Sequence, residues 1–90
     1  QPMDFKLYHN YPNPFNPNTT IPFEVNIPGH VKLKIYNIAG QEIEVLVDEK
    51  LSAGRYQIPF EAKSLQSGLY FYRLEIAGGF KEIKKMLLIK

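Results

Sequence analysis

Apolar and polar side chains alternate at every second residue through most of this chain, and this pattern constrains the fold more than any other feature. Five stretches show it: Ile21–Ile27, Val31–Tyr36, Ile43–Val47, Tyr56–Glu61 and Tyr70–Ile76. A period of two places successive side chains on opposite faces of a β-strand, and no stretch shows the 3.6-residue period of a helix. With a short first strand near Phe5–His9 and a last strand over Lys81–Ile89, the pattern predicts about seven strands. Strands at this density, separated by Gly, Pro and Asn, predict an antiparallel β-sandwich.

Size and composition restrict what such a sandwich can be. The chain has 90 residues, 44% of them apolar, and no cysteine, so we expect one small globular domain held by its core alone, without a disulfide or a thiolate metal site. A net charge of +2 gives no reason to propose nucleic acid as a partner. The longest aliphatic run, Met86–Ile89, is far shorter than the roughly 20 residues of a membrane-spanning helix. Because no initiator Met or leader is present, we expect a domain from a longer protein.

The segment Asn37–Gln41 predicts a β-hairpin with a three-residue loop at Ile38-Ala39-Gly40. Such loops favour a left-handed residue at the last position, which is Gly40. This loop aligns apolar partners on one face and polar partners on the other. The predicted pairs are Ile35–Ile43, Leu33–Val45, Val31–Val47, Lys34–Glu44 and Tyr36–Glu42.

The second clear hairpin surrounds Ala77-Gly78-Gly79. A two-residue loop would pair Glu75 with Glu82, which is unfavourable. A three-residue loop pairs Glu75 with Lys81 and leaves Leu74 opposite Glu82. We therefore expect a β-bulge near Glu82–Lys84, at a position that the pattern does not fix.

Two segments share the pattern Leu-x-small-Gly-x-Tyr, at Leu51–Tyr56 and Leu65–Tyr70. The second resembles the tyrosine corner of immunoglobulin-like sandwiches, in which a Tyr that enters a strand bonds to the preceding connection. The predicted fold is therefore an immunoglobulin-like sandwich, with each Leu closing one end of it.

The side chains that usually carry catalysis or metal binding are few and scattered. His9 and His30 lie in separate segments without metal-ligand spacing, and the serines precede Gly-containing turns, where they are typical of turn structure. The prediction is that the chain has no catalytic, cofactor-binding or metal-binding residue.

Three other features have a structural and a functional interpretation. The Pro-Asn segment, Asn10–Asn18, is expected to cross between the sheets with Phe15 as a buried plug, or to form an ordered ridge for a partner. Tyr36 and Phe71 fall on outward faces, where aromatic rings can bind sugars or proteins.

In the last strand Met86 and Leu88 point one way and Leu87 and Ile89 the other. A strand apolar on both faces is either covered or used for docking.

Five segments in order also form a recognisable set of motifs. They are Tyr11–Phe23, Ile35–Gln41, Leu51–Tyr56, Ser67–Leu74 and Lys84–Lys90. Together they resemble the type A C-terminal sorting domain of the type IX secretion system, over nearly the whole chain from Leu7 to Lys90. One departure is Phe60, where the family more often has Trp, although both residues suit an aromatic core position.

The resemblance implies a secretion signal without catalytic activity and without a cofactor, built from residues 7–90. Residues 1–6 would be a linker or the end of a preceding cargo domain, and the cut that separates domain from cargo is expected there. The implied partners are an outer-membrane translocon, through which the cargo passes from the periplasm to the cell surface or the medium, and a sortase-like cysteine protease, which then removes the domain. The recognition role is carried onto the closing motif, Lys84, Lys85, Met86, Leu87, Leu88, Ile89 and Lys90.

Two alternatives remain open at this point. One is an accessory carbohydrate-binding or adhesive module that uses Tyr36 and Phe71. The other, at the level of fold alone, is similarity to the immunoglobulin-like part of flagellar hook-capping proteins.

Overall fold

A computed structural model describes residues 5–90 and confirms the all-β prediction. The strands are β1 (Phe5–Leu7), β2 (Asn18–Val25), β3 (Gly29–Tyr36), β4 (Glu42–Leu51), β5 (Gly54–Glu61), β6 (Gly68–Ile76) and β7 (Phe80–Leu88). No helix that could cross a membrane occurs in residues 5–90. Residues 1–4, part of the predicted linker and cleavage segment, lie outside the described residues, so the predicted boundary at residue 7 stays a prediction.

The strands form two antiparallel sheets that pack face to face. One sheet has the order β1-β2-β5 and the other the order β4-β3-β6-β7. In a constant-type immunoglobulin sandwich the fourth strand belongs to the first sheet, whereas here β4 pairs with β3. Apart from the position of β4, the two sheets have the strand arrangement of the predicted immunoglobulin-like sandwich.

The alternating apolar residues of β2, β3 and β6 form the centre of the core, as the period-two pattern predicts. Burial of each such side chain stabilises the fold by about 1.5–3 kcal/mol. Ile27 is an exception, because β2 ends at Val25 and leaves the Ile27 side chain 52% exposed. The central core residues, each at most 3% exposed, are Ile21, Phe23, Val25, Val31, Leu33, Ile35, Tyr72, Leu74 and Ile76.

The hairpin between β3 and β4 has the predicted loop but not the predicted register. Gly40 has a φ of +83°, and Tyr36 lies opposite Glu42 as expected. Beyond that pair the register shifts twice, so that Ile35 lies opposite Glu44 and Leu33 opposite Val47. The predicted pairs Ile35–Ile43, Leu33–Val45, Val31–Val47 and Lys34–Glu44 are therefore wrong.

Two irregularities in β4 explain this difference. β4 is an edge strand, and edges are where bulges concentrate. Each shift inserts one extra residue of β4, so two shifts restore the inward direction at Val47, which is buried. Val45 instead lies opposite Lys34 and is 42% exposed. A regular period-two reading of β4 cannot anticipate either insertion.

The last hairpin adopts the three-residue loop without the expected bulge. Ile76 pairs with Phe80, Glu75 with Lys81 and Leu74 with Glu82, and the pairing continues regularly to Gly68 and Leu88. The bulge prediction is wrong because the structure accepts Glu82 on the inward side of β7, where its carboxylate lies 3.3 Å from the Lys84 ammonium. Charges on the inward side of an edge strand are a known protection against sheet-to-sheet aggregation.

The tyrosine corner predicted at Tyr70 is confirmed, and Tyr56, in the first copy of the pattern, forms the same type of bond. The Tyr70 hydroxyl donates to the Gln66 carbonyl at 2.7 Å, and the Tyr56 hydroxyl donates to the Ser52 carbonyl at 2.6 Å. Each bond fixes the start of its strand to the connection before it.

The Pro-Asn segment follows a different route from the predicted crossing, because it joins β1 and β2, which belong to the same sheet. It leaves that sheet, contacts β7 of the other sheet through Phe15 and returns. The Phe15 ring is buried and packs on Phe60 with a centroid distance of 6.2 Å. The plug predicted at Phe15 and the aromatic core position predicted at Phe60 are both confirmed.

Candidate partner-recognition strand

The end of β7 has one buried and one exposed face, as the sequence predicts. Met86 and Leu88 are 1% and 0% exposed, whereas Leu87 and Ile89 are 38% and 51% exposed. The buried pair joins the core between the sheets. The exposed pair presents aliphatic side chains to solvent next to the exposed Lys85.

The lysines of the closing motif have different environments. The Lys84 side chain is 19% exposed and pairs with Glu82, so it belongs to the protected inner side of the strand. Lys85 and Lys90 are exposed. A partner that approaches the outer face would therefore meet Lys85, Leu87 and Ile89, but neither Met86 nor Leu88.

The main chain at the end of β7 is fixed by the Pro-Asn segment. The Phe15 N–H donates to the Leu87 carbonyl at 3.0 Å, and the Ile89 N–H donates to the Phe15 carbonyl at 3.0 Å. The Leu87 N–H donates to the Asn13 side-chain oxygen at 3.0 Å. An edge strand normally leaves these groups to solvent, so Asn13 and Phe15 hold the strand in a defined position.

The last residue is also anchored. The Lys90 N–H donates to the Ser67 hydroxyl at 2.9 Å, and the Lys90 ammonium donates to the Lys63 carbonyl. Both partners lie in the connection between β5 and β6. The closing motif is thus an ordered part of the sandwich, with a fixed main chain and with the side chains of Lys85, Leu87 and Ile89 exposed.

The start of the Pro-Asn segment is joined to the core by Tyr72. The Tyr72 hydroxyl donates to the Tyr8 carbonyl at 2.8 Å and accepts from the Asn10 N–H at 2.9 Å. Burial raises the pKa of Tyr72 to about 12. Asn10 in turn donates from its side chain to the Thr19 hydroxyl at 3.0 Å, so the segment is held at both of its ends.

Tyr36 and Phe71 lie on the outer face of the four-stranded sheet, as predicted, but both are only partly exposed. The Arg73 guanidinium lies 4.8 Å from the centroid of the Tyr36 ring. A shallow apolar groove of about 320 Å³ runs between Tyr36, Phe71 and Ile83. Arg73 covers part of the ring surface that a sugar would need.

Within residues 5–90, no group of three metal-ligating side chains comes together. His30 Nε2 lies 2.5 Å from the Asp48 carboxylate, on exposed parts of β3 and β4. This hydrogen bond lowers the pKa of Asp48. A single exposed His–Asp pair is a surface ion pair and offers no chemistry on its own.

Sequence reasoning missed the contribution of Asn13 and Ser67 to the position of the closing motif. The signal for Asn13 was local: an Asn flanked by two prolines cannot form a regular strand and has its side chain free to act as a hydrogen-bond acceptor. Its partner, Leu87, is 74 residues away. No local pattern identifies that pairing.

Comparisons with known proteins agree with this architecture. The domain resembles part of dimeric latent PorU from Porphyromonas gingivalis, with a TM-score of 0.74 and 20% identity over 94% of this chain and 9% of that chain. It also resembles part of the Pseudomonas fluorescens alkylpurine DNA glycosylase AlkC, solved bound to DNA containing an abasic site analog. There the TM-score is 0.51, with 14% identity over 97% of this chain and 31% of that chain. At these identities the likenesses show a shared fold.

No curated protein matches this chain. The family model of the secretion system C-terminal sorting domain, the sorting domain of type IX secretion, matches residues 9–90. This range includes the Pro-Asn segment, both tyrosine motifs and the closing motif. The chain therefore belongs to the family of secretion system C-terminal sorting domains.

Proposed function

We propose that this domain directs a larger cargo protein, attached before residue 1, through the type IX secretion system, and that it has no catalytic activity of its own. Membership of the sorting-domain family supports this role. The cargo would pass the periplasm and an outer-membrane translocon to the cell surface or the medium. A sortase-like cysteine protease would then separate the domain from the cargo.

The observation that carries the proposal is the two-faced end of β7. Its main chain is fixed by Phe15 and Asn13, and its inner side chains are buried, so the outer side chains have a defined arrangement. A preorganised surface loses less conformational entropy on binding than a flexible tail does. The proposed recognition set is Lys84–Lys90, of which Lys85, Leu87 and Ile89 are the residues whose exposed side chains a partner would contact.

The proposed cleavage site lies before β1. Phe5 is 8% exposed and packs on Phe80 of β7 with a centroid distance of 5.4 Å. A protease needs an extended and accessible main chain, so a cut after Phe5 would require β1 to leave the sandwich. We therefore place the cut at the beginning of the predicted linker.

The test is secretion of the full cargo protein with substitutions that spare the core. Leu87→Ser combined with Ile89→Ser changes only exposed side chains, and Ile27→Ser is the control because Ile27, at 52%, is as exposed as Ile89 at 51%. We expect the double variant to accumulate in the periplasm and the control to be exported. A thermal unfolding curve of each purified domain verifies that folding is unchanged. Normal export of the folded double variant contradicts the proposed recognition set, and normal export after deletion of Leu87–Lys90 contradicts the sorting role itself.

A further inference from the structure

The outer face of the three-stranded sheet carries a second groove, whereas the closing motif belongs to the other sheet. Its volume is about 460 Å³. Unlike the apolar groove beside Tyr36, it combines aromatic rings with hydrogen-bonding side chains. Its principal lining residues are Tyr8, Tyr11, Pro22, Glu24, Arg55 and Gln57.

Hydrogen bonds to β2 fix the main chain of the two tyrosines in this groove, Tyr8 and Tyr11. The Tyr8 N–H donates to the Pro22 carbonyl at 3.0 Å, and Tyr11 exchanges two main-chain hydrogen bonds with Thr20, at 3.0 and 2.9 Å. The Tyr11 ring itself is 51% exposed. A fixed main chain below an exposed ring gives a platform that needs little ordering when a ligand binds.

The polar side chains are aligned by one another. The Tyr8 hydroxyl donates to the Glu24 carboxylate at 2.5 Å, and Arg55 Nε lies 3.1 Å from the same carboxylate oxygen. The Tyr11 hydroxyl donates to the Gln57 side-chain oxygen at 3.1 Å. These contacts orient the side chains of Arg55 and Gln57 within the groove.

Arg55 has unused binding capacity. Its side chain is 84% exposed, and its contact with Glu24 uses Nε. The terminal nitrogens of the guanidinium therefore remain for a planar acceptor such as a carboxylate, which they would bind with two parallel hydrogen bonds. Lys6, whose ammonium lies 5.0 Å from the centroid of the Tyr8 ring, adds a second cation near this groove.

We propose that this groove binds an acidic saccharide, with a uronate carboxylate on Arg55 and the apolar face of a sugar ring on Tyr11. Ligand sites typically combine an apolar or aromatic surface with a few placed polar groups, and here the exposed guanidinium of Arg55 and the nearby Lys6 favour an anionic ligand. The alternative sugar site at Tyr36 has no comparable set of polar groups, and Arg73 lies over its ring. This inference is independent of the sorting role.

The test uses the whole chain and two probes, trigalacturonate and the neutral cellotriose, followed by backbone amide NMR shifts. We expect trigalacturonate to move the amides of Tyr11, Arg55 and Gln57. Tyr11→Ala and Arg55→Gln should each weaken its binding about tenfold, which corresponds to about 1.4 kcal/mol. Tyr11→Phe keeps the ring and should retain most of the affinity. Tyr36→Ala and Lys85→Gln, on the other sheet, are the controls and should bind as the unsubstituted chain does.

Several results would overturn the proposal. These are the absence of shifts with trigalacturonate, equal binding of cellotriose, or shifts centred on Tyr36 and Phe71. Binding that survives in Tyr11→Ala and disappears with added salt would show only non-specific ionic attraction. Secretion of cargo that carries Tyr11→Ala should be normal, which separates this site from the sorting signal.

Discussion

Tyr72 and Asn10 are hydrogen-bonded to each other although 62 residues separate them, with the Tyr72 hydroxyl 2.9 Å from the Asn10 N–H. Through this bond, β6 of one sheet fixes the chain as it leaves the other sheet. The same hydroxyl donates to the Tyr8 carbonyl at 2.8 Å. Removal of one hydroxyl therefore breaks two contacts with the main chain.

Tyr72→Phe is expected to lower the free energy of unfolding by about 1–3 kcal/mol, since it leaves a buried N–H and a part-buried carbonyl without their partner. Urea unfolding followed by circular dichroism measures this change. Tyr36→Phe is the matched control and should alter the free energy of unfolding by less than about 0.5 kcal/mol. Equal stability of Tyr72→Phe and the unsubstituted chain would contradict this account.

Alkaline pH should reduce the advantage of Tyr72 over Phe. Burial raises the pKa of Tyr72 from 10.0 to about 12, so the neutral form is favoured in the folded state. A raised pKa gives stability that is complete below pH 10 and is lost as the pH rises through about 12. The difference in unfolding free energy between the two proteins should therefore shrink by about 2–3 kcal/mol over this range. Parallel curves from pH 9 to pH 12 would show that Tyr72 is not responsible.

Gly40→Ala should destabilise the hairpin between β3 and β4. Gly40 has a φ of +83°, a conformation that costs a residue with a Cβ atom about 1–2 kcal/mol. Gly29→Ala is the control, because a Cβ atom there would meet Ile76 only at 3.8 Å, an ordinary contact. Thermal unfolding should show a clear decrease in Tm for Gly40→Ala alone. If both variants unfold alike, the left-handed turn is not the cause.

Asn13→Ala should loosen the end of β7 without unfolding the sandwich. The Leu87 N–H loses its acceptor, worth about 0.5–1.5 kcal/mol, and its hydrogen exchange should become about two- to tenfold faster. Asn16→Ala, in the same exposed segment, is the control and should leave the exchange of Leu87 unchanged. Exchange of the Leu74 amide in the core reports on global unfolding. Unchanged exchange at Leu87 in Asn13→Ala would mean that Phe15 alone holds the strand.

Local sequence patterns predict the register and burial of the interior strands better than those of the edge strands β4 and β7. Alternation in β2, β3 and β6 identifies the core because each of these strands lies inside its sheet, with a neighbour on both sides. In β4, which has one neighbour, two inserted residues move Val45 from the expected inward position to the surface. In β7 the inward position of Glu82 suggests a bulge, but the strand is regular. An edge strand tolerates this inward charge.

The sequence pattern predicts which side chains of the closing motif are buried and which are exposed, but it does not predict the residues that contact its main chain. The alternation of Met86 and Leu88 with Leu87 and Ile89 follows from the period of two. The contacts of Leu87 with Asn13 and Phe15 depend on the route of the Pro-Asn segment, which we expected to cross between sheets. Contacts between residues so distant in the sequence arise only from the folded topology.

The bonds between Phe15 and the end of β7 have a consequence for assembly during synthesis. The ribosome makes Phe15 early and Leu87 more than seventy residues later, so neither can be ordered by the other until the whole domain has emerged. A binding surface formed from both reports that translation and folding are complete. A receptor that required this composite surface would not bind truncated or partly assembled chains.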